Sequence, residues 1–205
     1  MPRVQGRKAL RPYKPNRQIK SMTCNPDKHE RRSIRLRDYD YSQAGAYFIT
    51  ICTHKKEYAF GDIRDGKIEL AAIGKIASKY WIEIPEHFDA VELDEFVVMP
   101  NHIHGIVIIN HVGVQNFEPL RHKYQHVIPK SIGSIIRAYK SMVSHWCRNN
   151  GHNYFRWQRN YYEHVIRNED DLDEIREYIV NNPLKWHLDS ENPNNVGEGT
   201  SPLRK

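Results

Sequence analysis

The sequence predicts an α+β fold: a single domain whose antiparallel sheet, ferredoxin-like or RRM-like, carries helices packed on one face. Short apolar runs rich in β-branched residues indicate strands, and apolar residues at helical spacing indicate amphipathic helices. These patterns follow one another as strand, hairpin, helix, strand, strand, helix and helix. With 205 residues, the chain has the length of one such domain with tails.

The first half of the chain supplies strands and one helix. The unbroken apolar run at residues 46–53 predicts a buried strand. Within residues 60–70, the dipeptide Asp65-Gly66 is a strong turn signal and predicts a hairpin. Residues 71–84 place apolar side chains at helical spacing, which predicts a helix that ends before Pro85.

Two more strands and a second helix follow. Residues 91–99 and 102–109 are apolar runs joined by a Pro-Asn pair, which predicts a hairpin. Residues 110–129 mix His, Gln, Asn and Pro and are predicted to form a loop. An apolar stripe over residues 131–148 predicts the second helix.

A third helix closes the predicted domain. The aromatic stretch 154–166 ahead of it is predicted to add a strand. Asn168 is suited to cap the helix, and the acidic first turn that follows it matches the helix dipole. The helix is expected to end at Asn181 or Asn182, because Pro183 cannot extend it.

The charge is concentrated at the start of the chain. Residues 1–37 contain twelve Lys or Arg and two acidic residues, whereas the whole chain has a net charge of +6. Segment 1–38 is therefore predicted to be a basic flexible arm that tracks a polyanion, with a merely solubilising segment as the alternative. The folded domain is expected at 39–186, and the Gly-, Pro- and Asn-rich residues 187–205 are predicted to be a disordered tail.

Composition excludes several classes of protein. No apolar run approaches the ~20 residues that span a bilayer, and the start lacks the apolar stretch of a signal peptide. The three cysteines, Cys24, Cys52 and Cys147, are odd in number and widely spaced, which indicates neither a disulfide framework nor a CxxC zinc site. We expect a cytoplasmic protein with reduced thiols and no membrane partner.

The strongest functional signal is a histidine pair inside the run FVVMPNHIHGIVIIN. His102 and His104 are two residues apart in a predicted strand, so both side chains lie on one side of the sheet, roughly 7 Å apart. Two imidazoles placed in this way can share a metal ion, and a metal beside a nucleophile can cleave a phosphodiester. The alternative is a polar face with two solvated rings, because the chain has 12 histidines.

The third predicted helix carries a candidate nucleophile. Tyr178 and Asn182 are four residues apart and lie on the same helical face. A tyrosine hydroxyl has a pKa of about 10 and needs a metal-polarised phosphate or a local base in order to attack. The carboxamide of Asn182 could then be a third metal ligand. A packed tyrosine and an asparagine that ends the helix form the alternative.

Together these motifs resemble a known family. The run PNHIHG, the stretch WQRNYYEHVIRNEDDL and the closing YIVNNP resemble the single-tyrosine transposases of the HUH nuclease superfamily, and most closely the REP-associated tyrosine transposases. The resemblance covers about residues 40–186. It implies that His102 and His104 bind the metal and that Tyr178 attacks single-stranded DNA, leaving a 5′-phosphotyrosine link and a free 3′-hydroxyl.

The resemblance also implies cofactors and partners. It suggests Mg²⁺ or Mn²⁺ as the cofactor, single-stranded DNA hairpins (REP-like palindromes) as the partner, and a nucleoid-associated monomer or homodimer. Related enzymes use a glutamine as a metal ligand where this chain has Asn182, which retains an amide oxygen. The long basic arm is a departure from the family pattern.

Further residues are candidates for supporting roles. His164 is a candidate accessory residue near the metal or phosphate, with a structural turn as the alternative, and Tyr161 and Tyr162 are the next candidate nucleophiles. Basic residues that either contact DNA or form ordinary solvated faces are Arg31, Arg32, Arg35, Lys130, Arg137, Lys140 and Arg159.

Two other functions remain open from the sequence. One is a non-catalytic module that binds single-stranded DNA or RNA hairpins on the open face of the sheet. The other is a metal-dependent phosphohydrolase of the histidine-triad type. The second is disfavoured, because Ile106 stands where a third histidine would be expected.

Overall fold

The structure, a computed structural model, describes residues 43–110 and 131–195. The strands and helices of these residues are, in chain order, β1 (Gly45–Cys52), β2 (Gly61–Arg64), β3 (Lys67–Leu70), α1 (Ala72–Ile82), α2 (Ile84–His87), β4 (Val91–Val98), β5 (His102–Ile109), α3 (Ile132–Asn149), β6 (Tyr162–Ile166) and α4 (Glu169–Asn181). Short 3₁₀ turns follow β1 at His54–Lys56 and α4 at Trp186–Leu188.

The main sheet has the strand order β4-β5-β1-β6, and every neighbouring pair is antiparallel. The chain enters it as strand, helix, strand, strand, helix, strand, which is the ferredoxin-like arrangement. Strands β2 and β3 form a separate hairpin across the predicted Asp65-Gly66 turn. The predicted antiparallel α+β fold is therefore confirmed.

One face of the sheet packs against α1 and α3. Alternate residues of the two central strands, including Ile49 and Val107, join Trp81 of α1 and Tyr139 of α3 in the larger buried cluster. Full burial of each such side chain stabilises the fold by roughly 1.5–3 kcal/mol. The glycine after the histidine pair belongs to this face, since a Cβ atom at Gly105 would lie 2.5 Å from the Trp81 ring.

The opposite face of the sheet packs against α4. Phe48 and Ile106 contact Ile175 and Ile179 of this helix in a second buried cluster. The prediction that all helices pack on one face, with the other left open, is therefore wrong. The apolar stripe of α4 needs an apolar surface to cover, and the even-numbered residues of β1 and β5 provide it.

Three predicted boundaries also change. Only Tyr162–Ile166 of the stretch 154–166 is a strand. Helix α1 ends at Ile82, and Pro85 lies in the first turn of α2. The prediction of a disordered tail fails for residues 187–195, which are ordered and include the buried Asp189.

Some predictions fall outside the described residues. These include the basic arm at 1–38, nearly all of the loop at 110–129, and the final ten residues of the predicted tail.

Candidate active site

His102 begins β5 and is fully buried, with its tautomer set by its neighbour Asn101. The Asn101 Nδ2 donates to the carbonyls of Lys56 and Glu191, at 3.2 and 2.8 Å, so its Oδ1 faces the imidazole. His102 Nδ1 donates to that oxygen at 2.8 Å. Its Nε2 therefore carries the lone pair, and within the described residues this atom has no hydrogen-bond partner.

The charge state of His102 follows from its position. Burial, and then the neighbouring His104, lowers the pKa of His102 well below its usual range. The neutral imidazole, which is the form that binds a metal, is therefore favoured at neutral pH.

His104 is held in a similar way. Its Nδ1 lies 2.8 Å from the hydroxyl oxygen of Thr50, the residue directly opposite on β1. Its ring stacks on Phe48 with 5.2 Å between ring centroids. Both imidazoles are thus held by an oxygen at Nδ1, and an oxygen partner at the far nitrogen is the usual support of a metal-binding histidine.

Asp189 completes the cluster from the segment that follows α4. Its Oδ2 lies 3.9 Å from His102 Nε2 and 3.7 Å from His104 Nε2. Burial alone would raise the pKa of this carboxyl group, but its contacts with the His104 and His102 imidazoles and with the amide of Asn182 together hold the pKa well below its usual range. The side chain is therefore a buried carboxylate that faces two imidazoles.

Asp189 belongs to the part of the chain that we name the C-terminal strap, residues 186–195. The Lys56 ammonium donates to the Ser190 carbonyl at 3.1 Å and pairs with Glu191 at 3.3 Å. The Tyr58 hydroxyl donates to Asn192 at 3.0 Å. These contacts dock the strap against the end of β1 and the turn that follows it.

Tyr178 brings a hydroxyl group to the same point. Its oxygen lies 3.2 Å from His104 Nε2 and donates to Asp189 Oδ2, also at 3.2 Å. Ile175 and Ile179, both buried, anchor α4 on either side of it. Burial, and then the charge of Asp189, raises the pKa of Tyr178 well above its usual range, so the phenol is protonated at neutral pH.

Asn182 lies one helical turn beyond Tyr178 and is buried. Its Nδ2 donates to Asp189 Oδ2 at 2.7 Å, while no described residue hydrogen-bonds to its Oδ1. The structure thus brings the predicted His102, His104, Tyr178 and Asn182 together. It adds Asp189, which the sequence analysis missed.

The donor set fits a divalent metal ion. The candidate ligand atoms of His102, His104 and Asp189 all lie within 4.8 Å of one another. A buried lone pair without a partner, as at His102 Nε2, is costly in a folded protein unless a ligand satisfies it. Two imidazole nitrogens with one carboxylate suit Mn²⁺ better than Mg²⁺, which prefers oxygen ligands.

Two clefts meet at Tyr178. The first, which we name the Tyr162 cleft, has a volume of about 230 Å³ and is lined by Phe48, Gln158, Asn160, Tyr162 and Glu191 beside His104 and Tyr178. The second, which we name the Glu174 cleft, has a volume of about 250 Å³ and is lined by Glu174, Glu177, Lys185 and Leu188 beside Asn182 and Asp189. An extended polymeric ligand that passes the Tyr178 hydroxyl can leave the site along either cleft.

Other predicted residues lie farther from the cluster. His164 Nε2 is 3.2 Å from the carboxylate of Asp171, in the first turn of α4, and takes no part in the metal group. Arg159 is exposed beside Gln158 at the Tyr162 cleft. Arg137 is exposed on α3, which packs on the face of the sheet opposite the histidines.

Lys140 supports the wall of the Tyr162 cleft. Its ammonium donates to the carbonyls of Gln158 and Asn160, at 2.7 and 3.1 Å, and lies 5.6 Å from the centre of the Trp157 ring. Burial lowers the pKa of Lys140 to about 8. The remaining predicted DNA contacts lie outside the described residues: Arg31, Arg32, Arg35 and Lys130.

Comparison with known proteins gives one close relative. The chain is 45% identical over 166 residues to an uncharacterized protein of Haemophilus influenzae, and the match covers 78% of this chain and 92% of the relative. No model of a known protein family matches the chain.

One solved structure supports the fold. A REP-associated tyrosine transposase bound to a REP hairpin superposes with a TM-score of 0.50 at 23% identity, over 74% of this chain and 73% of that one. A transposase candidate from Deinococcus radiodurans aligns at 17% identity with a TM-score of 0.41, over 72% of this chain and 95% of its own. None of the helices in the described ranges is both long and apolar enough to cross a membrane.

Proposed function

We propose a single-strand DNA transesterase activity for this chain, which belongs to the same family as the Haemophilus influenzae protein. Its fold is that of the REP-associated tyrosine transposase, so the resemblance predicted from its motifs is confirmed for the fold. In this proposal the protein cuts and rejoins DNA at or near hairpin elements, as a transposase of the tyrosine HUH type. The hairpin substrate is inferred from the REP-associated tyrosine transposase of known structure, which is bound to a REP hairpin.

One observation carries the proposal. The hydroxyl oxygen of Tyr178 lies 3.2 Å from both His104 Nε2 and Asp189 Oδ2, at the edge of a buried group that can hold a metal. A nucleophile beside such a group is the arrangement that phosphodiester cleavage requires. A bound Mn²⁺ or Mg²⁺ would supply positive charge to a phosphate oxygen, with His102, His104 and Asp189 as its ligands.

The chain's own residues perform the other parts of the reaction. The Tyr178 oxygen forms a bond to phosphorus while the bond from phosphorus to the 3′-oxygen breaks. The phenolic proton already lies on a hydrogen bond to Asp189 Oδ2, and in the balanced reaction it ends on the departing 3′-oxygen, which becomes the free hydroxyl. Rejoining is the reverse transfer, in which a 3′-hydroxyl attacks the phosphotyrosine and restores the phenol. No external energy source is needed, since each step exchanges one phosphate ester for another.

The fold keeps this reaction in place. Thr50 and Asn101 hold the two imidazoles of β5 in place. The packing of the buried face of α4 on the sheet sets the distance between Tyr178 and these imidazoles. A nucleophile on a packed helix is positioned more exactly than one on a loop. The energetic advantage is that the reacting groups are already assembled before DNA arrives.

The test is nicking of a synthetic single strand that carries a hairpin and flanking sequence, with Mn²⁺ or Mg²⁺ present. Tyr178→Phe removes only the reacting oxygen and should lower nicking by roughly a thousandfold or more, with hairpin affinity unchanged. Tyr154→Phe is the matched control, because it removes an exposed hydroxyl that lines neither cleft. Continued nicking by Tyr178→Phe would show that another residue is the nucleophile. If the unmodified protein shifts the hairpin in a gel but does not nick it, the chain is only a hairpin-binding module.

A further inference from the structure

We propose that the Tyr162 cleft receives the base of the nucleotide next to the bond that is cut, and that Gln158 and Asn160 select that base. The inference rests on the proposed function, because it assigns one subsite to the same DNA strand. It goes further in naming which cleft the strand takes and which side chains recognise it.

Charge distinguishes the two clefts that meet at Tyr178. The Glu174 cleft is lined by three carboxylates, from Glu174, Glu177 and Asp189, against the single cation of Lys185. The Tyr162 cleft is lined by one carboxylate, that of Glu191, which is paired with Lys56 at 3.3 Å. A polyanionic strand is therefore repelled from the first cleft and not from the second.

The exposed Arg159 strengthens this difference. It stands between two residues that line the Tyr162 cleft, Gln158 and Asn160. A guanidinium group in this position can pair with a phosphate at the mouth of the cleft.

The lining of the Tyr162 cleft suits a nucleobase. Tyr161 and Tyr162, both half-buried, supply aromatic surface, on which any base can stack. The side-chain amides of Gln158 and Asn160 are exposed at the cleft, and within the described ranges neither makes a side-chain hydrogen bond. An amide offers donors and an acceptor, which is the chemistry that reads the edge of an unpaired base.

The wall that carries these amides is built before any ligand binds. The backbone N–H of Gln158 donates to the carbonyl of Cys52 at 2.9 Å, next to the end of β1. The Lys140 ammonium ties the carbonyls of Gln158 and Asn160 to α3. The backbone that carries the two amides therefore stands at a fixed place relative to the histidines of the neighbouring strand, which favours selection over simple contact.

The first test walks a single abasic site through the nucleotides on both sides of the cut in a hairpin substrate. We expect one position adjoining the cut to lower kcat/KM by roughly 5- to 100-fold, and other positions to have little effect. The double variant Gln158→Ala with Asn160→Ala should still nick but lose base preference at that position. Asn149→Ala, which removes an exposed amide at the far end of α3, is the matched control and should keep the preference.

The second test does not depend on cutting. The Tyr178→Phe variant is mixed with a set of hairpin strands, each of which carries 2-aminopurine at a different flanking position. Stacking in the cleft should quench the fluorescence of 2-aminopurine at one of these positions. Unchanged fluorescence at every position, or an unaltered base preference in the double variant, would overturn the inference. If quenching occurs but the unmodified protein never nicks, the proposed function fails while the base subsite stands.

Discussion

The histidines and the aspartate of the candidate metal centre are held by two different parts of the molecule. His102 and His104 lie on β5, a central strand that pairs along its length with β1 and β4. Asp189 lies on the C-terminal strap, which is held by side-chain hydrogen bonds and a short 3₁₀ turn. A sheet ladder is a cooperative unit, whereas a strap opens at a lower free-energy cost.

This difference indicates that the two histidines form the stable part of the site, whereas Asp189 joins them only when the strap docks. The two imidazoles are carried by a paired strand and held at Nδ1 by Asn101 and Thr50, and the strap adds only the Glu191 carbonyl that Asn101 contacts. The carboxylate reaches them only when the strap is docked. Metal affinity should therefore respond to changes in both regions, but to different extents.

The largest effect is expected from the sheet. His102→Ala or His104→Ala should weaken Mn²⁺ binding by more than about 100-fold, because even the loss of an outer-shell partner typically costs 10–100-fold. Calorimetric titration with Mn²⁺ measures this, with the thermal unfolding of each variant recorded beside it. His145→Ala changes an exposed histidine at a distant helix end and is the control. Equal Mn²⁺ affinity in all three variants would show that the histidine pair does not bind the metal.

A smaller effect is expected from the strap. Asp189→Asn keeps one ligand oxygen but removes the negative charge, so Mn²⁺ affinity should fall by roughly 10- to 100-fold. Asp173→Asn, which changes an exposed carboxylate on α4, should leave the affinity unchanged. A loss after Asp189→Asn as large as that after His102→Ala would contradict the distinction between the two regions. No loss at all would exclude Asp189 as a ligand.

The smallest effect is expected at the contacts that dock the strap. Lys56→Met removes the ammonium that binds Ser190 and Glu191, and should weaken Mn²⁺ binding by roughly two- to tenfold, the value of one or two hydrogen bonds. Hydrogen exchange of residues 186–195 should become faster in the same variant. Lys79→Met breaks an exposed pair on α1 and should alter neither quantity. Unchanged exchange in the strap would show that other contacts hold it.

The same comparison explains what the sequence could predict. The histidine pair and Tyr178 lie on elements with clear apolar periodicity, so their faces could be derived from spacing alone. Asp189 lies in a run of Asn, Pro and charged residues that has no period. Its order comes from Lys56, Tyr58 and Asn101, which are far away in sequence. The strap's apolar residues are Leu188 and Trp186, whose ring centroid lies 5.9 Å from that of His102.

The placement of the third helix is a second case. The spacing of Leu172, Ile175 and Ile179 indicates an apolar stripe, but a stripe does not say which face of a sheet it covers. Helices on one face alone would leave the other face of the sheet uncovered, whereas the implied role of Tyr178 requires its helix to lie on the face that carries the histidines. The structure resolves this conflict, since α4 covers that face and thereby delivers the hydroxyl.

The most direct measurement is the mapping of the covalent protein–DNA adduct. The unmodified protein is incubated with Mn²⁺ and a hairpin strand, digested with protease and nuclease, and analysed by mass spectrometry. We predict a phosphonucleotide on the peptide that contains Tyr178, joined through the phenolic oxygen. An adduct on Tyr161 or Tyr162, or nicking with no adduct on any residue, would contradict the assignment of the Tyr178 oxygen as the nucleophile.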